Sequence, residues 1–247
     1  MSEDHLLPVH RPPFVLHWDE ATNPLPVRTI RGLGLAPAIW PAAVPPYYPS
    51  GPIGQPFDFC GHIRRLCADI VARCDELRHI DVNRLLFAVT QARSNRRFGL
   101  QARVTPLRFR DGRLIRRRRG VPYQVQRYFI DGQEILYLIT FCLPRFLDQD
   151  FDDKFITLFH ELYHISPAFD GDLRRHQGRY SIHSRSQKKY DAHMAHLART
   201  YLRNGADPAL HGFLRLNFAQ LQQRHGSVLG VVVPRPKLLP LPAAREN

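Results

Sequence analysis

Residues 151–165 read FDDKFITLFHELYHI, and the reading of the whole chain turns on this stretch. Phe155, Phe159 and Leu162 recur at i, i+4 and i+7, the spacing of one helical face, and Asp152 and Asp153 stand where acidic groups favour a helix N-terminus. His160, Glu161 and His164 fall on the opposite, polar side. Imidazoles four residues apart sit one above the other, so both can reach a single metal ion. Glu161 lies about 100° further round the axis, within reach of a water on that ion. The stretch therefore predicts an amphipathic helix carrying two metal ligands and a general base.

The pattern His-Glu-x-x-His is rare by accident. With 13 His in 247 residues and Glu scarce, composition alone yields about 0.02 occurrences in a chain of this length. The chemistry it implies is hydrolytic. One Zn²⁺ per chain lowers the pKa of a bound water and polarises a peptide carbonyl, while the carboxylate moves the proton to the leaving amine. Catalytic zinc takes three protein ligands and leaves one position open. Asp170 stands six residues past His164, which excludes the metzincin spacing, and the next Glu is Glu246, which excludes a glutamate from the following helix. The candidates for the third ligand are His183, His176 and Asp191. His183 is favoured because it shortly precedes a helical pattern at 186–203; His193 and His196, inside that pattern, read as packing or solvent-facing. Among possible oxyanion donors, Tyr163, Arg179, Tyr180 and Tyr190 are near in sequence, and each reads more simply as structural.

Outward from the motif the pattern is mixed. A helix is expected at 59–79, with Cys60, Cys67 and Cys74 stacked on its inner face every seven residues, about 10 Å apart and so too far apart to share a metal or form a disulfide. Strand-like runs follow at 85–90, 99–109, 123–130 and 134–142, the last two joined at Asp131-Gly132, a hairpin signal. Tyr190, Met194, Leu197 and Tyr201 stripe the helix at 186–203, and a last helix opens with Asp207 as N-cap and Pro208 and stops before Gly226. Strands followed by helices predict an α+β domain, a small and mostly antiparallel sheet packed on helices that include the one bearing the motif.

The stretch from ITFCLPRFLDQDFDDKFITLFHELYHISPAFDGDLRR to IHSRSQKKYD resembles a metallopeptidase domain of phages and bacteria, distantly similar to SprT-like and WLM-type zincins. The resemblance covers about residues 80–203. It implies a minimal zincin fold, His160 and His164 as zinc ligands, Glu161 as general base and His183 as third ligand. Where SprT-like proteins place Gly and an aromatic after that third His, this chain has Ser184-Arg185-Ser186-Gln187.

Proline marks the expected boundaries. Twelve of 21 prolines fall in residues 1–56 and four in 234–242. Residues 1–56 and 227–247 therefore read as extended arms flanking a domain at 57–226. Net charge is +13, with 35 Lys and Arg against 22 Asp and Glu, a balance that attracts polyanions. Arg116, Arg117, Arg118 and Arg119, with Arg108, Arg110 and Arg113 beside them, are the candidate nucleic-acid contacts; Asn95-Arg96-Arg97-Phe98 adds charge beside an aromatic. No stretch has the length of a membrane span and no secretory leader is visible, so the expected setting is the cytoplasm of a bacterium or of a phage's host. The expected partners are a protein or peptide substrate and nucleic acid. The alternative is a non-catalytic, nucleic-acid-binding or phage-associated protein whose zinc is structural and closed by a fourth ligand.

Overall fold

The computed structural model describes residues 14–34, 50–94, 99–175 and 187–241. Strands β1 (Val15–Trp18), β2 (Val27–Ile30) and β3 (Phe57–Asp58) lead into α1 (Phe59–Arg73). Seven strands follow: β4 (Leu85–Gln91), β5 (Ala102–Pro106), β6 (Ile115–Arg118), β7 (Val121–Val125), β8 (Arg127–Ile130), β9 (Gln133–Ile135) and β10 (Tyr137–Leu143). Then come α2 (Phe151–Tyr163), α3 (Gln187–Arg203), α4 (Pro208–His211), α5 (Phe218–His225), β11 (Val228–Val231) and β12 (Leu238–Pro240). The fold is α+β. No helix among the described residues is long and apolar enough to cross a membrane.

LLFAVTQ and YLITFCL are nearly continuous apolar runs, as expected of strands buried on both faces. They pair in parallel, Tyr137 opposite Leu85 through Leu143 opposite Gln91, and β5 adds antiparallel to the other side of β10. The order β4-β10-β5 leaves β5 at an edge. Because side chains alternate across a strand, this one sheet serves two cores. Leu85, Phe87, Val89, Tyr137, Ile139 and Phe141 join the large cluster contributed by α1, α2 and α3. Leu86, Ala88 and Leu138 face the other way and are covered by Trp18, Leu107, Tyr128 and Ile135.

The Pro-rich ends, expected as extended arms, contribute strands to these cores. β1 pairs in parallel with β8, and Trp18 stacks on Tyr128 with ring centroids 5.3 Å apart. β2 pairs with β11, and Ile30 is buried in the main core. β12 extends the β6–β7 hairpin, and Tyr128 donates its hydroxyl to the Pro234 carbonyl at 2.8 Å. Proline tolerates edge strands, and the residue before it already prefers extended backbone, so a proline-rich composition is compatible with strands of this kind. The described parts of 1–56 and 227–247 thus belong to the folded unit rather than lying outside it.

The sheet expected from sequence is divided among four three-stranded sheets, and its central pair is parallel. The run 123–130 splits at Gln126, which exchanges hydrogen bonds with Lys237 as the chain passes from one sheet to another. The Asp131-Gly132 hairpin forms between β8 and β9, with φ of 48° and 77° at the two turn residues. The first helix ends early, at Arg73, where Cys74 turns extended; Cys60 and Cys67 are buried in the core, where burial pushes both thiols up, Cys60 to about 12. The last helix is broken. Asp207 caps α4 through the Ala209 N–H, a 3₁₀ turn occupies Gly212–Arg215, and α5 starts afresh with an Asn217/Gln220 capping box. Carbonyls released at the break are taken by Lys154 of α2, whose Nζ donates to Leu214 O at 2.8 Å and Leu216 O at 2.9 Å.

Candidate metal centre

α2 buries Phe155, Leu158, Phe159 and Leu162 against the core, which turns the motif toward a cleft on its other side. His160 and His164 converge: their Nε2 atoms lie 2.9 Å apart and their rings are perpendicular. Tyr190 of α3 packs edge-on against His160, with centroids 4.9 Å apart, and nearly parallel to His164 at 5.8 Å. The apolar stripe expected on that helix is present, with Tyr190, Met194, Leu197 and Tyr201 all buried.

The C-terminal end of α2 is clamped by the chain that leaves it. Arg174 N donates to His164 O at 2.7 Å, Arg174 Nε donates to Tyr163 O at 2.7 Å, and the guanidinium lies 4.0 Å over the Tyr163 ring. Orphan carbonyls at a helix end need such partners. The returning loop is held from below by Tyr137, whose hydroxyl donates to Asp172 O at 2.8 Å and accepts from Gly171 N at 2.9 Å. Gly171 has a φ of 86°, and a Cβ there would lie 2.5 Å from Arg108 Cγ, so only glycine fits.

Glu161 is 7% exposed and points at the edge strand. β5 bonds to β10 through Gln101 and Leu107, which alternation extends to Arg103 and Thr105, so the N–H and C=O groups of Ala102 and Val104 turn toward the free edge. The Val104 N–H donates to Glu161 Oε2 at 2.6 Å. Burial pushes the Glu161 carboxyl up to about 7, opposed by the Val104 N–H and by the Arg103 guanidinium. A cleft of about 570 Å³ runs between this edge and α2, lined by Gln101, Arg103, Thr157, His160, His164 and Asp191 among others.

The three candidates for a third ligand separate. Asp191 lies 4.0 Å from His160 Nδ1, the nitrogen opposite the one that converges on His164. At that distance the two are not hydrogen-bonded, and Asp191 lines the same cleft as His160 and His164. His176 and His183 lie outside the described residues, as do Arg179, Tyr180 and the Asn95–Phe98 stretch. Among the described residues no group of three or more His, Cys, Asp or Glu side chains is placed to hold a metal ion. His193 is turned away, its Nε2 3.0 Å from Glu76 Oε2, and His196 is exposed. Arg116–Arg119 sit on the β6–β7 hairpin and do not line the cleft.

The Val104 contact escaped the sequence because it is made by a backbone amide 57 positions from Glu161. No side chain signals it; only the pairing of β5 with β10 does.

Comparison of the chain with protein-family models, with curated proteins and with solved structures finds no match.

Proposed function

We propose that this protein is a zinc-dependent peptidase, with His160 and His164 as two of the metal ligands and Glu161 as the general base. The observation that carries the reading is the convergence of two Nε2 atoms at 2.9 Å beside a buried carboxylate, in a cleft bordered by an edge strand. The pair fits the ion. Zn–N bonds of ~2.05 Å in tetrahedral geometry put two ligand nitrogens ~3.3 Å apart, a few tenths of an ångström beyond the observed separation and within the reach of small ring rotations. For the remaining position the sequence supplies His183, with His176 as its alternative, and Asp191 lines the cleft 4.0 Å from His160 Nδ1.

When bound, zinc supplies Lewis-acid polarisation of the scissile carbonyl and a water of lowered pKa. The chain does the rest. The Ala102 N–H and the carbonyls of Ala102 and Val104 face the free edge and can pair with an extended peptide along β5, while the Val104 N–H is held by Glu161. Glu161 takes a proton at its carboxylate and returns it to the departing amine. The cleft between β5 and α2 beside the histidine pair gives a peptide a place to lie, which supports this reading over a structural zinc.

The deciding experiment is Glu161→Gln, assayed on unfolded casein with zinc measured by mass spectrometry. The variant keeps an acceptor for the Val104 N–H, so it should fold and retain about one zinc per chain while losing ~10²–10⁴-fold in hydrolysis. Wild-type protein purified without zinc, or a Glu161→Gln variant with unchanged hydrolysis, overturns the proposal.

A further inference from the structure

A second surface, distinct from the cleft, carries its own chemistry. Residues 112–130 contain six Arg, no Lys and no Asp or Glu. Four of the six, Arg116–Arg119, run up β6 into the turn of the β6–β7 hairpin, and all four are exposed. Among the described residues none of the four is in an ion pair. Arg119 occupies the first turn position at φ 49°, followed by Gly120 at φ 80°. That conformation favours Asn, Asp or Gly, so an arginine there holds a charge at the tip against the local backbone preference.

Register sorts the side chains onto two faces. Arg116 lies opposite Tyr123, Arg118 opposite Val121, and Pro240 of β12 opposite Tyr123, so these share one face with Leu238, which pairs with Val125. On this face Val121 is 40% exposed and Leu238 48%. On the other, Ile115, Pro122, Gln124 and Leu239 are half-buried and Arg117 is exposed. Toward the hairpin tip the first is thus the more exposed face, with two arginines ~6.8 Å apart along a strand beside a half-buried tyrosine and exposed apolar side chains, while Val125 at its base packs on the second core. The sheet is held in place. Leu241 N donates to Pro122 O at 2.8 Å, and Gln126 and Lys237 are bonded both ways at its base.

We propose that this face of the β6–β7–β12 sheet binds single-stranded nucleic acid. Exposed guanidinium groups match phosphodiester oxygens in charge and in their forked geometry, and arginine in place of lysine adds a planar group that stacks. Tyr123, Val121 and Leu238 offer an apolar platform to base faces, which a single strand exposes and a duplex hides. The inference stands apart from the peptidase reading, because none of these residues lines the cleft.

The test is fluorescence anisotropy with the full chain and a labelled oligothymidylate about 20 nucleotides long, in a salt series, against a duplex of equal length. Arg116→Gln/Arg118→Gln removes two exposed charges; Arg65→Gln/Arg199→Gln removes two exposed charges elsewhere and serves as control. The hairpin pair should weaken single-strand binding about 10-fold at low salt and flatten the log K against log salt slope by about 1.4, at ~0.7 per phosphate contact, while the control changes both far less. Equal losses in the two variants, tighter binding of the duplex, or no binding of the oligonucleotide alongside capture by phosphatidylserine vesicles would each overturn the proposal. Circular dichroism of both variants confirms that folding is unchanged.

Discussion

Tyr137 is the residue on which the order of the loop behind the histidine pair should depend, and Tyr137→Phe tests it. The ring is fully buried, and phenylalanine refills it without a cavity, so only the hydroxyl is lost. Two hydrogen bonds go with it, to Asp172 O at 2.8 Å and from Gly171 N at 2.9 Å. Asp172 O keeps the Ser166 N–H at 3.2 Å, but the Gly171 amide loses its partner in a buried position. One orphaned amide at ~1–3 kcal/mol and one forfeited net hydrogen bond at ~1 kcal/mol total about 2–4 kcal/mol. With a urea m-value of ~2–3 kcal/mol/M for a chain this long, the midpoint should fall by ~1 M with m unchanged. The assay is urea unfolding followed by far-ultraviolet circular dichroism, paired with amide exchange at Arg174, whose N–H bonds to His164 O. Exchange there should speed up more than at the central strands. A midpoint shift worth less than ~0.5 kcal/mol, or an Arg174 amide as protected as before, refutes the assigned role of the hydroxyl.

Three other outcomes follow from the same packing. Glu161 has a folded-state value raised from 4.5 to about 7, so its contribution to stability is fully present below 4.5 and is lost as pH rises through about 7. Metal-free protein should lose on the order of 3 kcal/mol across that window in chemical unfolding, and Glu161→Gln should flatten the profile. Lys154 runs the other way: burial pulls its ammonium from 10.5 down to about 7, so stability rises with pH between those values as the unfolded chain alone holds the proton. Lys154→Met should abolish that rise and, by leaving Leu214 O and Leu216 O without a donor, lower stability most clearly near pH 9, by ~1–3 kcal/mol in a urea titration. At Gly230 of β11 a Cβ would lie 2.4 Å from Val89 Cγ2 on β4, so Gly230→Ala should lose ~1–3 kcal/mol. Adding Val89→Ala should return part of that loss in a double-mutant cycle; strictly additive losses would mean the two strands do not meet there.

Much of the helix that carries the histidine pair, and of its neighbours, was legible because the signals are local. Helical periodicity placed His160 and His164 on the face opposite Phe155, Phe159 and Leu162, striped α3 from Tyr190 to Tyr201, and kept Cys60 and Cys67 in the core; Asp-Gly made the β8–β9 turn. Each depends on residues a few positions apart, where backbone geometry alone decides which side chains share a face. The break between α4 and α5 was missed for a related reason. Leu214–Leu216 show no helix breaker, the restart is marked only by the Asn217/Gln220 capping box, and the carbonyls freed there are taken by a lysine 60 residues away.

By itself, then, the sequence determined a histidine pair with its carboxylate on one amphipathic helix, an α+β succession of elements, and an arginine-rich segment. Only tertiary structure decided what surrounds them. It set Val104 N–H against Glu161, brought Asp191 to 4.0 Å from His160, put Arg116 and Arg118 on one face of a hairpin, and made strands of the proline-rich ends by giving them Tyr128 and β11 to pack on. Those placements depend on strand pairing and register between segments far apart in the chain, and a backbone amide or an edge strand carries no mark of its partner in the residues beside it.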